Sequence, residues 1–164
     1  VDFTRHFGRN RQLIVYQELA AILEKDKVVV EPGDMLVLRT GFAEVITEMA
    51  GQPDAEKLHH VCSVLDGADE QLLNWITHSG IATICADNYA VEAYPARDRE
   101  GRKSLLPLHH HCLFKLGLPL AELWYLKDLA EALHELNRNR FLLTAPPLRL
   151  PGAVGSPVTP VATI

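Results

Sequence analysis

Apolar positions recur along this chain with two different periods. Between Arg11 and Glu24, Leu13, Ile14, Leu19, Ile22 and Leu23 fall near helical spacing, which predicts an amphipathic helix. Glu31-Pro32-Gly33-Asp34 marks a turn, and Met35-Leu36-Val37-Leu38-Arg39 reads as a short apolar strand ending at Thr40-Gly41. A helical stretch follows through Met49, and the polar segment from Gly51 to Gly67 reads as loop, with His59 and His60 in no assigned element. Asp69 opens a helix running through Trp75 and Ile76, closed by Gly80 in the position of a C-terminal cap.

Ile81-Ala82-Thr83-Ile84-Cys85-Ala86 has the length and β-branching of a buried strand and runs into Asp87-Asn88. The charged run from Arg97 to Lys103 reads as a solvated loop. A helix is predicted over Leu108 to Leu116, a strand over Leu120 to Tyr125 and a helix over Asp128 to Leu136. Phe141-Leu142-Leu143-Thr144-Ala145 is a further strand stopped by Pro146-Pro147, and a last extended piece covers Pro160 to Ile164. Strands and helices alternate, so the class is α/β. No repeat or flexible linker divides the 164 residues, which predicts a single domain over 1–164.

Bulk properties narrow the partners. A hydrophobic fraction of 48% with 23% charged residues is that of an ordinary globular protein. The formal charge of −5 argues against nucleic acid or an anionic membrane surface and leaves small substrates open. No apolar run reaches the length of a membrane span, and Val1-Asp2-Phe3-Thr4-Arg5 does not read as a signal peptide. The chain opens on Val1 rather than Met, as a processed or shortened chain would. Cys62, Cys85 and Cys112 each lie in an apolar stretch without a CxxC pair, the usage of buried, reduced thiols in a cytoplasmic protein. A reactive Cys112 beside three histidines is the functional alternative, and it requires a depressed thiol pKa.

Chemistry concentrates in His110-His111-Cys112-Leu113-Phe114-Lys115-Leu116-Gly117-Leu118-Pro119-Leu120-Ala121-Glu122. An imidazole nitrogen and a carboxylate oxygen are ligand types of zinc or manganese in hydrolytic sites. On a helix, adjacent histidines point roughly 100° apart, so at most one of His109, His110 and His111 can face one ion. A turn at Gly117 can fold Glu122 back toward that histidine. The competing reading is a solvated histidine triplet and an edge charge. Two ligands also fall short of the three or more that a catalytic metal needs.

Asp87 and Asn88, at the end of a predicted buried strand, occupy the usual functional rim of an α/β sheet or else simply form a turn. Glu92, amid Val91, Ala93 and Tyr94, reads as a buried partner or an exposed charge. Thr40-Gly41 offers a site of close backbone approach. The chain contains no P-loop, GxGxxG, GxSxG or HExxH, so nucleotide and serine-hydrolase readings have no support.

Taken in order, Pro32-Gly33-Asp34 with Leu38-Arg39-Thr40-Gly41-Phe42, Gly80-Ile81 with Asp87-Asn88 and Val91-Glu92, His110 through Glu122, and Pro147-Leu148-Arg149-Leu150-Pro151-Gly152 with Gly155-Ser156-Pro157-Val158 form a set. The set resembles the carboxyl-terminal part of the cyclase family of metal-dependent hydrolases, which includes kynurenine formamidases and isatin hydrolases. The resemblance implies a mixed, partly barrel-like β-sheet with flanking helices, of the swivelling β/α type and incomplete in this chain, and commonly a dimer.

By the same resemblance His110 and Glu122 match metal ligands for Zn2+ or Mn2+. The implied reaction is hydrolysis of a C–N bond in a small formamide or cyclic amide. The family signature H-x-G-T-H-x-D, which carries the remaining ligands, is absent from these residues, and Thr159 stands where the family has a basic residue. A complementary chain segment or a second subunit is therefore expected to complete the site. The alternative is a non-catalytic binding or assembly module on the same scaffold.

Overall fold

The computed structural model describes residues 1–98 and 104–164. The predicted solvated loop over Arg97 to Lys103 therefore falls largely outside the described residues. Two compact units are formed, Val1–Lys127 and Asp128–Ile164.

In the first unit the short helix α1 (Thr4–Phe7) precedes strand β1 (Gln12–Ile14) and helix α2 (Tyr16–Lys25). The predicted helix over Arg11 to Glu24 is thus a strand followed by a helix. Val15 is extended at the junction, and the Glu18 carboxylate accepts a hydrogen bond from the Val15 amide. Tyr16 N–H donates to Asp69 at 2.7 Å, so the helix start is fixed by a residue distant in sequence. Strand β2 (Met35–Leu38) and helix α3 (Phe42–Glu48) follow as their patterns predict. The segment from Gly51 to Gly67, expected to be loop, holds helix α4 (Ala55–His59), capped by Asp54, and strand β3 (Ser63–Leu65). All three β3 residues are buried, and a three-residue strand is too short to show a period.

Helix α5 (Glu70–Ser79) starts at the Asp69 cap and ends at Gly80, which adopts the left-handed conformation. Strand β4 (Thr83–Ala86) follows. Helix α6 (Pro107–His109) has proline in its first turn, where a missing N–H costs nothing, and runs directly into a π-helical segment, His110–Leu116. Gly117, at φ 66°, ends that segment. Strand β5 is only Leu120–Ala121; Leu123 turns left-handed at φ 59° just past Glu122, and Leu123 and Trp124 still donate to the Asn88 and Ala86 carbonyls.

The sheets are small. β1 pairs with β3 in parallel, and β2, β4 and β5 form a parallel sheet with β4 in the centre. Ile14, Leu38, Leu65, Leu72, Ile84 and Leu108 lie in one buried apolar cluster that joins both sheets to α5 and α6. Burying each such side chain stabilises by roughly 1.5–3 kcal/mol. In the second unit, helix α7 (Lys127–Glu135) is followed by strands β6 (Leu142–Thr144) and β7 (Val161–Thr163), paired antiparallel. The whole is a mixed α/β fold, and no closed barrel is present among the described residues.

Candidate functional site

Parallel pairing brings the carboxyl ends of β2, β4 and β5 to one edge. Thr40, Asp87 and Glu122 follow these strands by one or two residues, where α/β sheets place ligands. Glu92 reaches the same region on the loop after β4 and bridges to Leu65 of β3.

His109 is the centre of this edge. Its Nδ1 lies 2.9 Å from Glu92 Oε1, and its Nε2 lies 3.0 Å from Glu122 Oε1. Glu92 is 1% exposed and is held by more than the ring: Leu108 N–H donates to Oε2 and His109 N–H donates to Oε1, each at 2.9 Å. One carboxylate therefore caps the start of α6 and orients the imidazole that α6 carries. Hydrogen bonds to Glu122 and then to Glu92 push the imidazole pKa up to about 9, against the opposing effect of burial. Burial raises the Glu122 carboxyl, but hydrogen bonds from His109 and the Ala90 backbone outweigh it and leave the pKa lowered.

The backbone around both carboxylates is strained. Ala90 and Val91, just before Glu92, and Leu123, just after Glu122, all have positive φ without being glycine. Such conformations cost on the order of 1–3 kcal/mol each and cluster where structure is held for a purpose.

The three histidines separate as the helical geometry requires. His109, not His110, meets Glu122. His110 is exposed and stacks on Phe114, with ring centroids 5.3 Å apart and planes 15° apart. His111 turns the other way, to Thr77 of α5 at 2.8 Å. The resemblance implies His110 as the ligand paired with Glu122, whereas the imidazole within hydrogen-bond distance of that carboxylate is His109, on the helix that starts at Pro107. A legible signal existed: Glu92 is the lone charge in Ala90-Val91-Glu92-Ala93, and a carboxylate inside an apolar run is rarely buried without a dedicated partner.

Asp87 forms more than a local turn. It is fully buried and accepts from Thr40 N–H, Thr40 Oγ1 and Gly41 N–H, each at 2.7 Å, tying the end of β4 to the turn after β2. Burial pushes its carboxyl pKa up against these three donors. Asn88 is buried beside it, spanning Ser63 and Val91 through its amide nitrogen. His59 meets the Tyr89 hydroxyl at 3.0 Å, and His60 bonds to the Glu56 carbonyl. Cys112 is buried, and burial pushes its thiol up to about 12, the opposite of the depressed pKa a nucleophilic role requires.

The donor types at His109 and Glu122 suit a divalent metal, and the Nδ1–H to carboxylate bond behind the ring is the arrangement that orients metal-ligating histidines. The number does not suffice. Among the described residues no group of three or more His, Cys, Asp or Glu side chains could hold an ion.

Comparison with known proteins bears on this part-site. A family model described as "Putative cyclase" matches residues 1–93, which includes Glu92 and ends before His109. A solved structure described as a novel cyclase superposes with a TM-score of 0.78 at 32% identity, covering 99% of this chain. The chain spans about half, 50%, of that protein's length. No curated protein matches the chain. No helix among the described residues is long and apolar enough to cross a membrane. With more than half its residues matched by the family model, and with nearly all of them following the fold of a solved cyclase, the chain belongs to the cyclase family.

Proposed function

We propose that this chain supplies the downstream part of a metal-dependent hydrolase that cleaves the C–N bond of a small formamide or cyclic amide. The observation that carries the reading is the meeting of His109 Nε2 and Glu122 Oε1 at 3.0 Å, with His109 Nδ1 already committed to Glu92. Family membership and the half-length match to a solved cyclase support it.

Within this reading His109 and Glu122 are two of the protein ligands, and the others come from a segment outside these residues. A bound zinc or manganese ion supplies an acidified water and polarises a carbonyl. Glu92 keeps the ring nitrogen that faces Glu122 aimed outward. Asp87 fixes the turn at Thr40-Gly41 on the same edge, so the rim is rigid on both sides of β4.

Metal content of the intact protein, measured for the native sequence and for His109→Ala and Glu122→Ala, tests the reading. Native protein should carry zinc or manganese, and each variant should lose most of it together with amide hydrolysis. Full metal occupancy and turnover in both variants would remove the basis of the proposal. Intact native protein that binds no metal would leave a binding module on the cyclase scaffold.

A further inference from the structure

Gly67 abuts Glu92, the carboxylate that orients His109. A Cβ added to Gly67 would stand 1.8 Å from Glu92 Oε2, 2.8 Å from its Cδ and 2.9 Å from the Leu108 nitrogen. Gly67 does not require a left-handed backbone, so its missing side chain matters for space alone. It lies between Asp66 and Ala68, and Asp66 is fixed by the amide of Ala68 and by Arg97. The loop therefore cannot simply back away from the carboxylate. Gly67 forms the floor on which the Glu92 carboxylate rests.

From that floor Glu92 accepts from three donors: the Leu108 amide, the His109 amide and the His109 ring nitrogen Nδ1. Two of these fix where α6 starts. The third holds a proton on Nδ1, because only an Nδ1–H satisfies a buried carboxylate there. The nitrogen that would give up its proton to a ligand is then Nε2, which faces Glu122.

We infer that Glu92 is the positioning residue of this site, setting the rotation of His109 and holding its Nδ1–H from a carboxylate-sized recess that Gly67 keeps open. The inference rests on the reading of His109 as a ligand only for its effect on metal affinity, since the ring geometry can be read without metal.

Long-range 1H–15N correlation spectra of the intact protein, labelled with 15N-histidine, report the protonation of each His109 nitrogen, and titration with Zn2+ reports affinity. In native protein Nδ1 should carry a proton with and without zinc, and added zinc should displace the proton from Nε2 alone. Glu92→Gln and Gly67→Ala should mix the tautomers and weaken zinc binding by roughly 10–100-fold, the usual effect of losing the partner behind a metal-ligating histidine. Unchanged His109 signals and zinc affinity in both variants would overturn the inference. Should the variants fail to fold, the native spectrum decides: a bare Nδ1, or zinc on Nδ1, overturns it. If native protein binds no zinc but Glu92→Gln still changes the His109 tautomer, the metal reading fails while the positioning role stands.

Discussion

His109 and Glu122 meet at 3.0 Å across the turn at Gly117, while His110, one position along, stacks on Phe114 in solvent. The two histidines are chemically identical and differ only in where α6 begins. His110→Ala is expected to leave metal content and turnover of the intact protein within about twofold of native. His109→Ala should reduce both by more than the roughly 10–100-fold that follows loss of a partner behind a ligand. Parallel metal analysis and assay of the two variants provide the check, and an equal loss in both would contradict the assignment.

Stability should depend on pH through His109. Its folded pKa is raised to about 9 from an ordinary value of 6.5 by Glu122 and Glu92. A raised pKa means the folded state binds the proton more tightly than the unfolded chain does. The stabilisation is therefore fully present below about pH 6.5 and is lost as pH rises through about 9. Urea unfolding of metal-free protein at pH 6 and pH 10 should show a loss of about 1–3 kcal/mol, discounted for the partial exposure of the ring. His109→Gln should flatten that difference.

Metal uptake should show the opposite slope. A metal held by Nε2 would displace the proton shared with Glu122, so binding would release one proton below about pH 9. Zinc affinity of the intact protein should rise roughly tenfold per pH unit between pH 6 and 8 on that account. Isothermal titration in two buffers of different ionisation heat counts the protons directly, and a count of zero would exclude displacement at this nitrogen.

Leu108 and His109 are neighbours with different duties. Leu108 is wholly buried in the core of the first unit, and its amide donates to Glu92. Leu108→Ala should cost about 2–5 kcal/mol, the range for truncating a buried leucine. Because the backbone amide survives, the His109 tautomer should be retained at temperatures where the variant is folded, as histidine spectra would show.

Asp87→Asn tests the other side of the rim. An asparagine oxygen can still accept from Thr40, but its NH2 group would face the Gly41 N–H. The expected loss is about 1–3 kcal/mol in urea unfolding, the cost of a buried polar group left unpaired.

Much of this scaffold was legible from pattern. The Asp69 cap and Gly80 bracket α5 as read, and β2 and β4 fall inside their apolar runs. The turn at Gly117 is present, and Glu122 lies 3.0 Å from a histidine, His109. What escaped were elements whose cause lies elsewhere in the chain. β1 and β3 are three residues each and exist because they pair with one another. β5 is two residues long and its regular pairing gives way to a left-handed Leu123, which no local propensity of leucine predicts. The choice of His109 over His110 depended on Glu92, whose burial emerges only once Gly67 and α6 close around it.

The parallel pairings of the first unit have a kinetic consequence. Ile84 must find Leu120, Leu36 must find Ile84, and Leu13 must find Val64, with no hairpin to bring any of these partners together early. Chains built on such remote contacts fold slowly. Glu92 and Glu122 are delivered by separate excursions of the polypeptide, so their meeting around one imidazole requires two such remote contacts together rather than one local turn.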